Sequence, residues 1–180
     1  MPPISTTFPL LDEILAAWQP AIGADFAAYG NHIRRVLNFT LALHPCSAEE
    51  LERLQVAGAF HDLGIWSDGT FDYLPPSIAR ARDYLAGRGL EGWVPEVSAL
   101  IGEHHKIRAI ADPALALVEA FRKADLVDVS LGLVRFGLPR EFVRAVKAQF
   151  PDAGFHGRLV QLTGANLLRH PLRPAPFFKW

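Results

Sequence analysis

A chain of 180 residues can hide roughly 70% of its unfolded surface, enough to build a core without disulfide or metal staples. Half of the residues are hydrophobic and 21% are charged, which excludes a disordered chain. Eighteen Lys plus Arg against nineteen Asp plus Glu leave a formal net charge of −1, a balance that argues against nucleic acid as a partner. The single Cys46 excludes an internal disulfide framework and a Cys-rich zinc site. No apolar run approaches the roughly 18 residues of a membrane span. The opening MPPISTTFPLL is not a basic segment followed by an apolar one. The expectation is therefore one cytoplasmic domain over residues 1–180, a monomer or homodimer, with no membrane partner.

Helical periodicity runs through the whole chain. A short helix is predicted over Pro9–Trp18. A longer one is predicted over Ala21–Leu43, where Tyr29, His32, Val36, Phe39 and Leu43 recur at three- and four-residue steps. Pro45 stops it by disfavouring helical backbone at His44. Ser47 and Glu50 form a capping box that starts a third helix, reaching Leu63 and ended by Gly64. Ile65–Leu74 (IWSDGTFDYL) reads as an aromatic loop. Pro75-Pro76 suits the first positions of a helix ending near Gly87–Gly89, and another follows from Trp93 to Ile107. Asp112 caps a helix with Pro113 at its first position, continuing to Val129. Arg140–Phe150 and Gly157–Leu168 read as two last helices, and PLRPAPFFKW as an extended aromatic tail. No segment alternates as a strand does, so the class is all-α, a compact helical bundle. The tail, with Phe177, Phe178 and Trp180, is expected to pack on its own domain or on a second copy.

Several of the seven histidines fall on apolar helix faces. His32 lies on the Tyr29–Val36–Phe39 stripe, and His61, followed by Asp62, on that of Leu51, Leu54 and Gly58. His104 continues Val97, Leu100 and Ile101 with His105 beside it, and Asp125 shares the face of Leu117, Val118 and Phe121. Any one of these has an ordinary explanation, such as a hydrogen-bonded core His, a helix-end pair, or an Asp125 paired with Arg122 or Lys123. Together they aim imidazoles and carboxylates at one core, where such groups need partners or a metal. Zn, Fe, Mn and Ni take these ligands, and bundles hold such ions with side chains from facing helices.

The order His32, His61-Asp62, Asp125, set in GNHIRRV, GAFHDLG and KADLVD, resembles the H…HD…D signature of the HD-domain superfamily of metal-dependent hydrolases. The resemblance covers a motif core of about residues 31–129, with helices and tail over about 139–180 beyond it. It implies an HD-type helical bundle in which His32, His61, Asp62 and Asp125 hold one divalent metal that activates water, with Asp62 helping to orient that water. It further implies hydrolysis of a small-molecule or nucleotide phosphoester. The candidates for holding phosphate are Lys106, Arg108, Arg122 and Lys123, with Lys106 and Arg122 first.

Many phosphodiesterase-type members carry a Lys or polar residue soon after the HD pair, where this chain has Ile65-Trp66. Trp66, Phe71 and Tyr73 instead suggest an aromatic substrate pocket. The His104-His105 doublet admits two roles. With one metal, either histidine serves as general base or binds substrate. With two, both join the ligands, as in the branches that degrade cyclic dinucleotides or act as di-iron oxygenases. Hydration of a nitrile-like molecule, as in the cyanamide hydratase group, and a non-catalytic metal-binding module are the remaining readings.

Overall fold

The computed structural model describes residues 1–169, so the expectations for the aromatic tail lie outside the described residues. The chain is all-α, with helices α1 (Pro9–Ile22), α2 (Phe26–Leu43), α3 (Ala48–Phe60), α4 (Gly64–Ser67) and α5 (Leu74–Ala86) in its first half. They are followed by α6 (Val94–Glu103), α7 (Ala116–Val129), α8 (Arg140–Gln149) and α9 (Phe155–Arg169). Helix α2 is the central element. Its buried residues include Tyr29, His32, Ile33, Val36, Leu37 and Phe39, and its most extensive packing is against α7. None of the described helices is long and apolar enough to cross a membrane.

The departures from the predicted elements have local causes. Helix α1 continues past Pro20, although that residue has no amide to donate to the Ala16 carbonyl. The chain breaks instead at Gly23, whose φ of 61° and ψ of −128° are non-helical and readily reached only by glycine. The capping box at the start of α3 forms as predicted, with Ser47 Oγ accepting from the Glu50 amide and Glu50 from the Ser47 amide. Gly64 does not end a helix by left-handed geometry; it opens the one-turn α4 inside the predicted loop. A Cβ there would sit 2.6 Å from the Tyr73 carbonyl oxygen, so glycine lets the α4 and α5 segments touch. Its amide donates to Ser77 Oγ at 3.0 Å.

Helix α6 stops at Glu103, earlier than predicted, where the chain turns with the Lys106 amide donating to the Glu103 carbonyl. Asp112 caps a 3-10 turn over Pro113–Leu115, and α7 begins only at Ala116. Helix α9 starts at Phe155, two residues before the predicted Gly157, because Phe155 is buried with its ring stacked on His32 at 4.0 Å between centroids.

Candidate metal centre

Two histidines reach the core by the same device. A helix leaves its last carbonyls without intrahelical donors. At the end of α3 the His61 Nδ1–H fills that need by donating to the Gly58 carbonyl at 2.7 Å. At the end of α6 the His104 Nδ1–H donates to the Ile101 carbonyl, also at 2.7 Å. Each carbonyl fixes the tautomer, so each neutral ring presents its Nε2 lone pair inward. His32, on α2, reaches the same state through a side chain: its Nδ1–H donates to Asp128 Oδ2 at 2.7 Å. Asp128 is itself held by Arg35, with Nε–Oδ1 at 2.6 Å and Nη2–Oδ2 at 2.8 Å. Arg35 Nη1 also donates to the carbonyls of Phe150 and Pro151.

The consequence is a cluster of acceptors. His32 Nε2 and His61 Nε2 face each other at 3.1 Å. Asp62 Oδ2 lies 3.3 Å from His61 Nε2 and 3.8 Å from His32 Nε2, and Asp125 Oδ1 lies 3.5 Å from His32 Nε2. Ligand atoms about 2.1 Å from a shared ion lie roughly 3 to 3.5 Å from one another, a range that holds the 3.1, 3.3 and 3.5 Å separations and that the 3.8 Å one slightly exceeds. Facing lone pairs need a cation between them, either a proton or a metal.

The other oxygens of the same two carboxylates turn to the doublet. Asp62 Oδ1 is 3.4 Å from His104 Nε2, and Asp125 Oδ2 is 3.7 Å from His105 Nδ1. Asp62 Oδ1 and His104 Nε2 are buried with no hydrogen-bond partner among the described residues. An orphaned carboxylate oxygen facing an orphaned imidazole nitrogen is a donor pair that a metal ion would satisfy. His32, His61 and Asp62 form one group able to hold an ion, and Asp62, His104 and His105 form another.

The electrostatics fit a site that wants positive charge. Burial would push the His61 imidazole down, but the Asp62 charge and hydrogen bond, with Asp125, raise it to about 9. His32 is lowered by burial, partly offset by Asp128. Burial opposes ionisation of Asp62, yet His61 and His104 hold its carboxyl well below the usual range. Burial raises Asp125. His105 is pushed well down by burial and by His104, and its Nε2 shares a 2.6 Å hydrogen bond with the Tyr73 hydroxyl.

No protein-family model, curated protein or solved structure matches this chain. The buried His/Asp cluster is consistent with an HD-type site without identifying one.

Asp62, His104, His105 and Asp125 of the cluster line a cavity of about 470 Å³, with His32 and His61 behind them. Lys106, Arg122, Phe71 and Tyr73 line it, but the cations are engaged. Lys106 Nζ lies 3.1 Å from Glu103. Arg122 forks onto Glu119 at 2.7 and 2.8 Å and donates to the Lys106 carbonyl. Arg122 therefore does not pair with Asp125, nor does Lys123, whose Nζ is 3.3 Å from Glu119. Arg108 is exposed. Trp66 does not line the cavity: its indole N–H donates to Asp25 at 2.9 Å and its ring packs on Tyr29, because α4 carries it toward the α1–α2 junction.

Sequence reasoning missed Asp128 and Arg35. Both were signalled by spacing, since Asp128 follows Asp125 and Arg35 follows His32 by three residues, which puts each pair on one helix face.

Proposed function

We propose that the protein is a metal-dependent hydrolase of phosphoesters, with His32, His61, Asp62 and Asp125 holding a divalent ion. The observation that carries this reading is the convergence of three Nε2 lone pairs on Asp62 when every opposite Nδ1 is committed elsewhere. When bound, the ion lowers the pKa of water and polarises the bond to be cleaved. The chain's own groups do the rest. Asp128, fixed by Arg35, orients His32, while the Gly58 and Ile101 carbonyls orient His61 and His104. Phe121 and Phe155 pack against the histidine rings and keep bulk water from that side. Asp62 orients the attacking water. His105, kept neutral by burial, is placed at the cavity wall to take a proton from that water at a ring nitrogen. Lys106 and Arg122 lie on the cavity side where an anionic substrate group would approach.

A second reading, oxidation at a di-iron centre, has one observation in its favour: Asp62 and Asp125 each face both histidine groups with separate oxygens. Elemental analysis of protein purified without added metal or chelator, paired with assays on aryl phosphomonoesters and phosphodiesters, separates the two. About one ion per chain with phosphatase activity supports the hydrolase, leaving His104 and His105 as acid–base groups. About two irons without phosphatase activity favours oxidation. No metal, even after soaking, overturns both.

A further inference from the structure

The cavity beside the cluster has a composition that narrows the substrate. Away from the cluster its wall is Ile65, Phe71, Ile107, Leu126, Val129 and Leu159. Beyond the cluster, Tyr73 and the two cations, Thr163 is the one polar side chain on the wall among the described residues. A nucleoside brings ribose hydroxyls and a base edge, whose burial without hydrogen-bond partners is unfavourable. Multiple phosphates bring charge that needs free cations, and Lys106 and Arg122 are already paired with Glu103 and Glu119. The cavity volume of about 470 Å³ suits one small molecule.

We infer that the substrate is a phosphomonoester of an apolar alcohol, alkyl or aryl, whose single phosphoryl group meets the His/Asp cluster while its hydrocarbon body lies along Leu126, Val129, Ile107 and Leu159. This rests on the metal-dependent reading of the same site. In the reaction the water oxygen bonds to phosphorus, the P–O bond to the alcohol breaks, and the alcohol leaves carrying a proton. Apolar burial, not charge pairing, then supplies the discrimination among phosphomonoesters.

The test is calorimetric binding of methyl-, butyl-, hexyl- and octylphosphonate and of adenosine monophosphate to the full-length protein, with metal content measured on the same sample. Affinity is expected to rise about threefold per methylene from butyl to octyl, with adenosine monophosphate at least about tenfold weaker than octylphosphonate. Leu126 and Val129 are already 38% and 37% exposed, so Leu126→Gln and Val129→Gln are compatible with folding. Each should flatten the gradient to less than about twofold per methylene. Adenosine monophosphate binding as tightly as octylphosphonate, or no rise with chain length, overturns the inference while bound metal leaves the hydrolase reading intact. A gradient without bound metal removes the hydrolase reading and overturns the phosphomonoester substrate with it, leaving only an apolar binding cavity. No binding by any phosphonate overturns the inference as well.

Discussion

The two halves of the cluster share two carboxylates but are built differently. On the α2–α3 side, His32 is braced by a carboxylate that a buried guanidinium holds by two hydrogen bonds, and Phe155 stacks over its ring. On the α6 side, His104 is braced only by a carbonyl of its own helix, and His105 lies at the cavity wall in a hydrogen bond with Tyr73. In the first half His61 is also fixed by a carbonyl of its own helix, but His32 is locked by groups distant in sequence and both rings are shielded from solvent. The second half is fixed locally and faces the space a substrate would enter. Rigidity and access are thereby divided between the halves, which suits one for holding an ion and the other for handling substrate and protons.

The largest expected effect comes from cutting the brace of the locked half. Asp128→Ala leaves the buried Arg35 with only the half-exposed Asp152 carboxylate, 3.9 Å away, so a loss of about 3 kcal/mol is expected. That corresponds to a melting-temperature drop of about 6 °C or more, readable by calorimetry. It should come with metal affinity weakened by about 10- to 100-fold. A drop under about 2 °C would dissolve the contrast between the halves.

Next in size is the response to metal. A divalent ion at about 100 times its dissociation constant should stabilise the protein by about 2.7 kcal/mol, and a chelator should reverse the gain. In Asp62→Ala the gain should vanish, because both halves lose an oxygen. If metal stabilises Asp62→Ala as much as the parent, the cluster is not where the ion binds.

His104→Gln sharpens the division of labour. It removes an orphaned nitrogen from the open half only, so the first ion should remain, and the melting temperature should move by less than about 4 °C. Turnover of an aryl phosphomonoester is expected to fall at least about 100-fold. Loss of all metal in this variant would mean that the two halves act as one site.

The smallest effect concerns the pair outside the cluster. Burial opposes the Glu119 charge, but Arg122, the Ile110 amide and Lys123 outweigh it and lower its carboxyl from 4.5 to about 2. A depressed acid contributes stability that is complete above its unfolded pKa and is lost as pH falls through its folded value. Glu119→Gln should therefore lower the melting temperature by a constant few degrees, about 2 to 4 °C, at pH above 5. Parent and variant should converge between pH 4.5 and 2. Melting curves that stay equally separated at low pH would assign the difference to packing.

The sequence by itself determined the helical class, the capping-box start of α3, and the residue types His32, His61, Asp62, His104, His105 and Asp125 on inward faces. These were legible because helical periodicity and capping are local, and because imidazoles and carboxylates on apolar stripes have few bland explanations in combination. Only the tertiary structure decided how the atoms meet. It paired Asp128 with His32 and Arg35 across 96 and 93 residues of chain. It turned one oxygen of each shared carboxylate to each histidine group, engaged Arg122 with Glu119, and swung Trp66 away from the cavity. A side chain's partner depends on which helix packs opposite and at what rotation, and no local pattern encodes that.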